Sequence, residues 1–584
     1  MQFRRLAVPA SAAAAGVVLL AVVYTTYLDE PENSSEIKVD RTTSESGATP
    51  FGNTGPPIRT VGEQWRTDVK SGGHVEFAAG QALIFKGRGL DVVDANTGKP
   101  RWHYDERDRQ LANFLVTSDT VVLTTGKFGP DGALLPESEE RRHSIGLDVA
   151  TGRTLWTNDD LKPLTKELWL SKYKPFASPQ AGVVVFRGSG SKPGLTGVDA
   201  RTGKQRWAWE SKTDPQCVLT WQDSDGSLLV MTETCPSQTT LIALDPASGT
   251  VAWQQQRPTD DSVRTVTREK ITLVPRSPKA KKSAPLLIAA NGRQLWKQAG
   301  KNAEAEELAV VGDRAVMKVS ARGGDRLLFV DTRTGKEGKS VPATKHDTLT
   351  VVGDRVYGVR PLVDGPDPSR SHHLIPRGLD VIDPATSKVT TLPLPFGTDV
   401  SSGGSESSST GVFVRGDHIY RAVSNEQGLR LIAYGPGERA TPVETGGVPL
   451  SGWPDACKLT AKASGVEGRE SSPLRLGQVK IKGGECIVRL RGTDTVSFRI
   501  NWVARTPDEA HALLSELTSE LTSAKKVPGL GDEAYSAGAT PTDEVPPTVM
   551  RTGRFITVFM GPTMYPQPNT TKVMQAVDKA LRSR

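Results

Sequence analysis

The sequence predicts a mostly-β protein: a ring of short-stranded antiparallel sheets, an α+β unit after it and one apolar helix before it. Three observations carry this. A turn-and-tryptophan unit recurs along the middle of the chain, Gly and Pro are frequent (57 and 40 of 584 residues), and one uncharged stretch lies near the N-terminus. Frequent turns suit many short strands better than long helices.

The repeat reads as an apolar strand, Asp, two residues, Thr-Gly, a basic residue, two more, then Trp. It is clear at Asp94–Thr97–Gly98–Trp102, Asp148–Thr151–Gly152–Trp156 and Asp199–Thr202–Gly203–Trp207. The fourth copy is Asp245–Ser248–Gly249–Trp253. A fifth is shortened to Asn291–Gly292–Arg293 before Trp296. The sixth keeps Asp331, Thr334 and Gly335 without the Trp, and the seventh has Asp383, Thr386 and Ser387. The eighth, from Leu431 to Gly437, retains only a strand and a Pro-Gly turn. Asp caps its own turn, Gly supplies a left-handed backbone, and Trp covers the neighbouring unit. The repeat Asp residues are therefore expected to be structural rather than acids or ligands. Earlier apolar runs such as Val183–Phe186 and Leu228–Met231 bring each unit to three or four strands. No such unit buries its face alone, and stacking in a ring solves that.

Residues 61–450 divide into eight units of about 49 residues, close to a four-stranded blade of ~40–50. The four full copies resemble the tryptophan-docking repeat of the pyrroloquinoline-quinone (PQQ)-type propellers. The resemblance implies a β-propeller of eight blades, or seven if the degenerate copies do not form blades. Trp65, in Gly-Glu-Gln-Trp, looks like the strand after a missing docking turn and is expected to close the ring against the last blade.

The remaining chain follows from composition. Arg4 and Arg5 precede the uncharged residues 6–28, with Asp29, Glu30 and Glu32 after them. As a helix this stretch spans about 34 Å, enough for a bilayer core. A transmembrane anchor with residues 1–5 cytoplasmic is expected, a cleaved signal peptide being the alternative. Residues 29–60, polar and Pro/Gly-rich, read as a disordered linker. Everything beyond would be extracytoplasmic, at the cell membrane. Four cysteines in such a chain suggest disulfides. Asp223-Ser-Asp-Gly226 is a hairpin turn midway between Cys217 and Cys235, which favours their pairing and leaves Cys457 for Cys486.

In each blade the Thr-Gly turn joins the third and fourth strands, on one face of the ring. The connection between the second and third strands lies on the other face. Two long insertions fall there, Gly126 to His143 and Arg360 to Arg377. Loops of this kind carry binding function more often than scaffolds do.

From Ser451 the repeat stops, and residues 451–584 read as an α+β unit. Cys486–Arg491 and Val496–Val503 are paired strands. Thr506-Pro-Asp-Glu509 opens a helix with Ala510, Leu513, Leu514, Leu517 and Leu521 on its apolar face. Arg554–Met560 is a strand, and a last helix shows Val573, Val577 and Leu581. The cysteine pair and Val527-Pro-Gly-Leu-Gly-Asp-Glu-Ala-Tyr535 resemble small extracytoplasmic domains of actinobacterial lipoproteins and sensor kinases. That resemblance implies ligand or partner sensing.

The charge, +7 with pI near 9.0, is interleaved along the chain. It reads as an ordinary mixed surface, without nucleic acid as partner. Active quinone dehydrogenases of the resembling family carry adjacent cysteines over their cofactor, and this chain has none. No cofactor and no metal site is expected; His372–His373 beside Asp364 and Asp367 is the nearest approach to one. The expected function is a non-enzymatic, membrane-tethered scaffold that presents propeller loops to an envelope protein, peptide or wall polymer. The alternatives are a PQQ-dependent oxidoreductase and an extracytoplasmic sensor acting through a membrane partner. Propellers of outer-membrane assembly factors offer a fold-level analogy for binding.

Overall fold

The computed structural model describes residues 39–584 apart from intervening stretches. The longest of these are 128–141, 162–175, 276–285, 362–372, 400–410, 437–452 and 537–547. The anchor expected at 6–28 lies outside the described residues. No helix among the described residues is long and apolar enough to cross a membrane.

Among the described residues, eight antiparallel sheets of four strands follow one another from Gly62 to Gly435, the first with a fifth strand at its edge, besides one two-stranded pair. In the first sheet, Gly72–Ala78, Gln81–Lys86, Gly89–Asp94 and Pro100–Glu106 run from the inner to the outer edge. The core lies in the seams between sheets. Leu83, Phe85, Leu90 and Trp102 of the first sheet meet Leu111, Val121, Leu123 and Leu147 of the second. Middle strands are therefore covered on both faces. Thr120–Gly126 is buried at every position, a continuous pattern in place of alternation.

The last sheet contains Gly411–Arg415, His418–Asn425 and Gly428–Gly435, and its fourth strand comes from the start of the chain. This strand, β2 (Gly62–Lys70), pairs with Gly428–Gly435 from Gly62↔Gly435 to Lys70↔Gly428. The eighth copy lacks a docking turn because its third and fourth strands are not consecutive in the chain. Val75, Ala82 and Ile84 then pack against Tyr420, Leu429 and Leu431 across the closing seam.

The linker reading of 29–60 needs correction. Residues Val39–Thr42 form β1, antiparallel to Pro100–Glu106 with Val39↔Glu106 and Thr42↔His103. The outer strand of a blade offers unpaired N–H and C=O groups, so even a polar segment can bond there.

Beyond the ring, a seven-stranded antiparallel sheet spans Val466 to Met560 with three helices. They are α1 (Ala456–Leu459), α2 (Pro507–Glu520) and α3 (Pro568–Arg582). Their shared core includes Phe498, Ile500, Leu514, Leu517, Ile556, Val573 and Val577. Thr506 caps α2 by accepting the Glu509 N–H at 3.1 Å. The Glu509 carboxylate reaches one residue further back than a capping box requires, to the Arg505 N–H at 2.8 Å. Cys457 and Cys486 are bonded, with 5.0 Å between their Cα atoms.

Candidate binding faces

The two faces of the ring differ in construction, and the repeat residues build one of them. Each repeat Asp spends its carboxylate on its own turn. Asp94 Oδ1 accepts the N–H groups of Asn96 and Thr97, both at 3.0 Å. Asp148 Oδ1 accepts the Thr151 N–H and hydroxyl, both at 2.9 Å. Asp199 and Asp245 do the same for Thr202 and Ser248. In the sixth copy the Thr334 N–H and hydroxyl hold the Asp331 carboxyl below its usual range. These are the marks of turn caps.

The tryptophans then stitch sheet to sheet. Trp65 Nε1 donates to the Ala95 carbonyl at 3.0 Å, and Trp102 Nε1 to Val149 at 2.9 Å. Trp156 donates to Ala200 at 2.8 Å and Trp207 to Pro246 at 2.9 Å. In these four the acceptor is the residue after the next repeat Asp. The turn glycine does two jobs. Gly152 has φ of 73°, and a Cβ there would stand 2.6 Å from the Trp102 ring. Gly98, Gly203 and Gly249 face Trp65, Trp156 and Trp207 in the same way. The left-handed backbone was legible in the sequence; the ring lying on the glycine was not.

The series weakens where the repeat decays. Trp253 is buried, and its Nε1 finds no acceptor among the described residues. The shortened turn it would dock on, 291–293, lies outside them. Trp296 donates to Glu337 Oε1 at 2.8 Å, a side-chain substitute for the usual carbonyl. Ser387, at φ of 57°, occupies the glycine position of the seventh copy.

The docking-turn face is crossed by the segment after β1. The Ser44 N–H donates to the Thr151 carbonyl at 2.8 Å. The Thr49 carbonyl accepts Asn96 Nδ2 at 3.1 Å. Phe51 then lies edge-on to Phe77 and Tyr420, with ring centroids at 6.1 and 6.4 Å. Phe77 and Phe413, on the innermost strands of the first and last sheets, are 5.4 Å apart. The Ala95 carbonyl that takes Trp65 also accepts the Tyr420 hydroxyl at 3.0 Å. Strap, aromatic cluster and docking turn all converge on the closing seam.

The opposite face carries the 2–3 connections and the passages between sheets. At one seam the fully buried Glu106 accepts the hydroxyls of Tyr104, at 2.8 Å, and Thr125, at 2.5 Å. Burial first, and Glu106 next, push the Tyr104 phenol well up. At the equivalent position two sheets on, the roles are exchanged: the Ser211 hydroxyl donates to Glu233. The two long insertions leave this face at Gly126 and return at His143, and leave at Pro361 and return at Arg377. Most of both, with Asp364, Asp367 and His372, lies outside the described residues. Among the described residues no group of three or more His, Cys, Asp or Glu gathers as metal ligands. His373–Leu374, within the second insertion, pairs with Thr398–Asp399, which leads into the last sheet. Helix α2 lies beside Thr398–Asp399, and strand Thr495–Val503 beside His373–Leu374. Cys235 is disulfide-bonded. Its expected partner Cys217 lies outside the described residues, although their neighbours Val218 and Thr234 are paired.

The 527–535 loop is held by an ion-pair network. Asp532 Oδ2 accepts the Gly553 N–H at 2.7 Å, and Asp532 also pairs with Arg551 and Arg582. Glu533 Oε1 accepts Arg551 Nε at 2.8 Å and lies 2.7 Å from His511 Nδ1. Burial opposes ionisation of Asp532, but the Gly553 and Arg582 bonds outweigh it and keep its carboxyl low. The charged residues of the loop therefore bond within the unit itself.

The repeat geometry, with its docked tryptophans and closed succession of sheets, defines a PQQ-like β-propeller repeat protein. Residues 58–230 match the family model described as outer membrane protein assembly factor BamB. Among solved structures, BamB from Moraxella catarrhalis is 12% identical, covering 64% of this chain and all of that one, with a TM-score of 0.36. A prolyl endopeptidase is 11% identical over 65% of this chain and 54% of its own, TM-score 0.36. The dihydro-heme d1 dehydrogenase NirN is 11% identical over 59% and 75%, TM-score 0.36. No curated protein sequence matches the chain.

Proposed function

We propose that this chain is a non-catalytic, membrane-tethered, extracytoplasmic scaffold whose propeller binds an envelope protein, peptide or wall polymer. The observation that carries this reading is the commitment of the repeat carboxylates to turn caps and of the tryptophans to neighbouring sheets. The recurring polar residues thus serve the ring and leave its loops to make contacts. The disulfide Cys457–Cys486 suits an oxidising compartment. The match to an assembly-factor family supports protein partners in general.

The test is crosslinking of the full chain in intact cells, with titration of the purified chain by PQQ and calcium. Recovery of a specific envelope partner, without spectral change or thermal stabilisation by PQQ, is the expected result. Micromolar PQQ binding with a rise in Tm would replace this reading with the oxidoreductase.

A further inference from the structure

The register of β1 fixes which face of the ring each of its ends meets. Thr42 lies beside His103, towards the docking turns, and Val39 lies beside Glu106, at the opposite end of the same strand. Followed forwards, the chain goes on to the docking turns at Thr151 and Asn96. The N-terminal end of β1, at Val39, therefore lies at the face that carries the 2–3 connections. Only residues 29–38 separate the apolar stretch from β1. Ten residues reach at most about 35 Å when fully extended.

The C-terminal unit approaches from the same side. Its helix α2 and strand Thr495–Val503 lie beside Thr398–Asp399 and His373–Leu374. Those two short strands belong to the passage between the last two sheets and to a 2–3 insertion, both features of this face.

We propose that the face bearing the 2–3 connections is held against the lipid surface, with the C-terminal unit on that side and the docking-turn face turned outward. This rests on the membrane-anchor reading of residues 6–28. The ring is then oriented as well as tethered. The strapped docking-turn face then meets partners from solution.

No described cysteine is free, so single introduced thiols can be labelled selectively. Asp108→Cys lies on the proposed lipid-facing side, in the exposed passage after Glu106. Lys99→Cys and Arg333→Cys lie in exposed docking turns. Each full-length variant is reconstituted into phosphatidylcholine–phosphatidylglycerol vesicles, labelled with a donor fluorophore, and read for energy transfer to an acceptor on the lipid headgroups. Strands of six or seven residues separate the faces by about 20 Å, so transfer from position 108 should exceed that from 99 and 333 by at least about twofold. Equal transfer, or stronger transfer from the docking turns, overturns the orientation and leaves the anchor standing. Failure of the full chain to float with the vesicles removes the anchor reading, and the orientation with it.

Discussion

The Trp102 ring lies directly on Gly152, while its indole N–H bonds to the carbonyl of Val149 in the same turn. One side chain thus makes both the polar and the apolar contact across a seam. The glycine is required twice, by its backbone and by the ring above it.

Replacing that glycine should therefore cost more than a left-handed alanine does by itself. A left-handed L-residue costs about 1–2 kcal/mol, and crowding a packed seam a further 1–3 kcal/mol. Gly152→Ala is expected to destabilise the protein by about 2–5 kcal/mol in urea unfolding. A loss below about 1 kcal/mol would show that the ring moves aside freely.

Ser387→Gly should act in the other direction. Ser387 already has φ of 57°. Relief of its backbone strain outweighs the extra freedom glycine brings to the unfolded chain, for a net gain of up to about 1 kcal/mol. A rise in Tm is the expected readout, and a fall would mean that the serine hydroxyl contributes more than the strain costs.

Two of the capped aspartates, Asp199 and Asp331, contribute to the acid limb of stability. In Asp331 the Thr334 bonds lower the carboxyl pKa. In Asp199 burial opposes the shift, but Arg206 and Thr202 overcome it. With folded pKa values depressed, the unfolded chain binds more protons in acid. The stabilisation is present above the unfolded carboxyl pKa of about 3.9 and is lost as pH falls through the folded values. Asp199→Asn should flatten the fall in stability below about pH 4, measured by urea unfolding at a series of pH values. An unchanged slope would show that this carboxylate is not linked to folding.

Phe51→Ala tests the strap. Its half-buried ring meets Phe77 and Tyr420 across the closing seam. Partial burial of an aromatic ring corresponds to about 1–2 kcal/mol. The variant should lose about that much stability and become more open to proteolysis between residues 39 and 61. Unchanged protease resistance would mean that β1 alone holds the segment.

Much of the ring could be read in advance because its signals are local. Asp, Thr and Gly within five positions define a turn, and the Trp at fixed spacing defines the next strand. Trp65 without a turn of its own pointed to closure for the same reason. The ordered strap could not be read, since β1 is held by backbone bonds to an edge and Phe51 is one apolar residue in a polar stretch. Strand Val466–Leu476 was hidden likewise, because Arg, Glu and Ser interrupt its apolar alternation. The Glu337 acceptor for Trp296 falls outside the repeat pattern and depends on how the sixth turn is placed.

Pairing the first strand of the ring with the last also imposes an order on biogenesis. Gln64 and Gly435 are 371 residues apart. The segment around Trp65 emerges from the ribosome long before its partners exist, and it must stay unpaired until the whole ring has been made. Contacts this distant form slowly because a long loop must close first. Any release of the chain before Gly435 leaves an open edge at both ends of the ring, so emergence of the strand Gly428–Gly435 is itself the signal for closure.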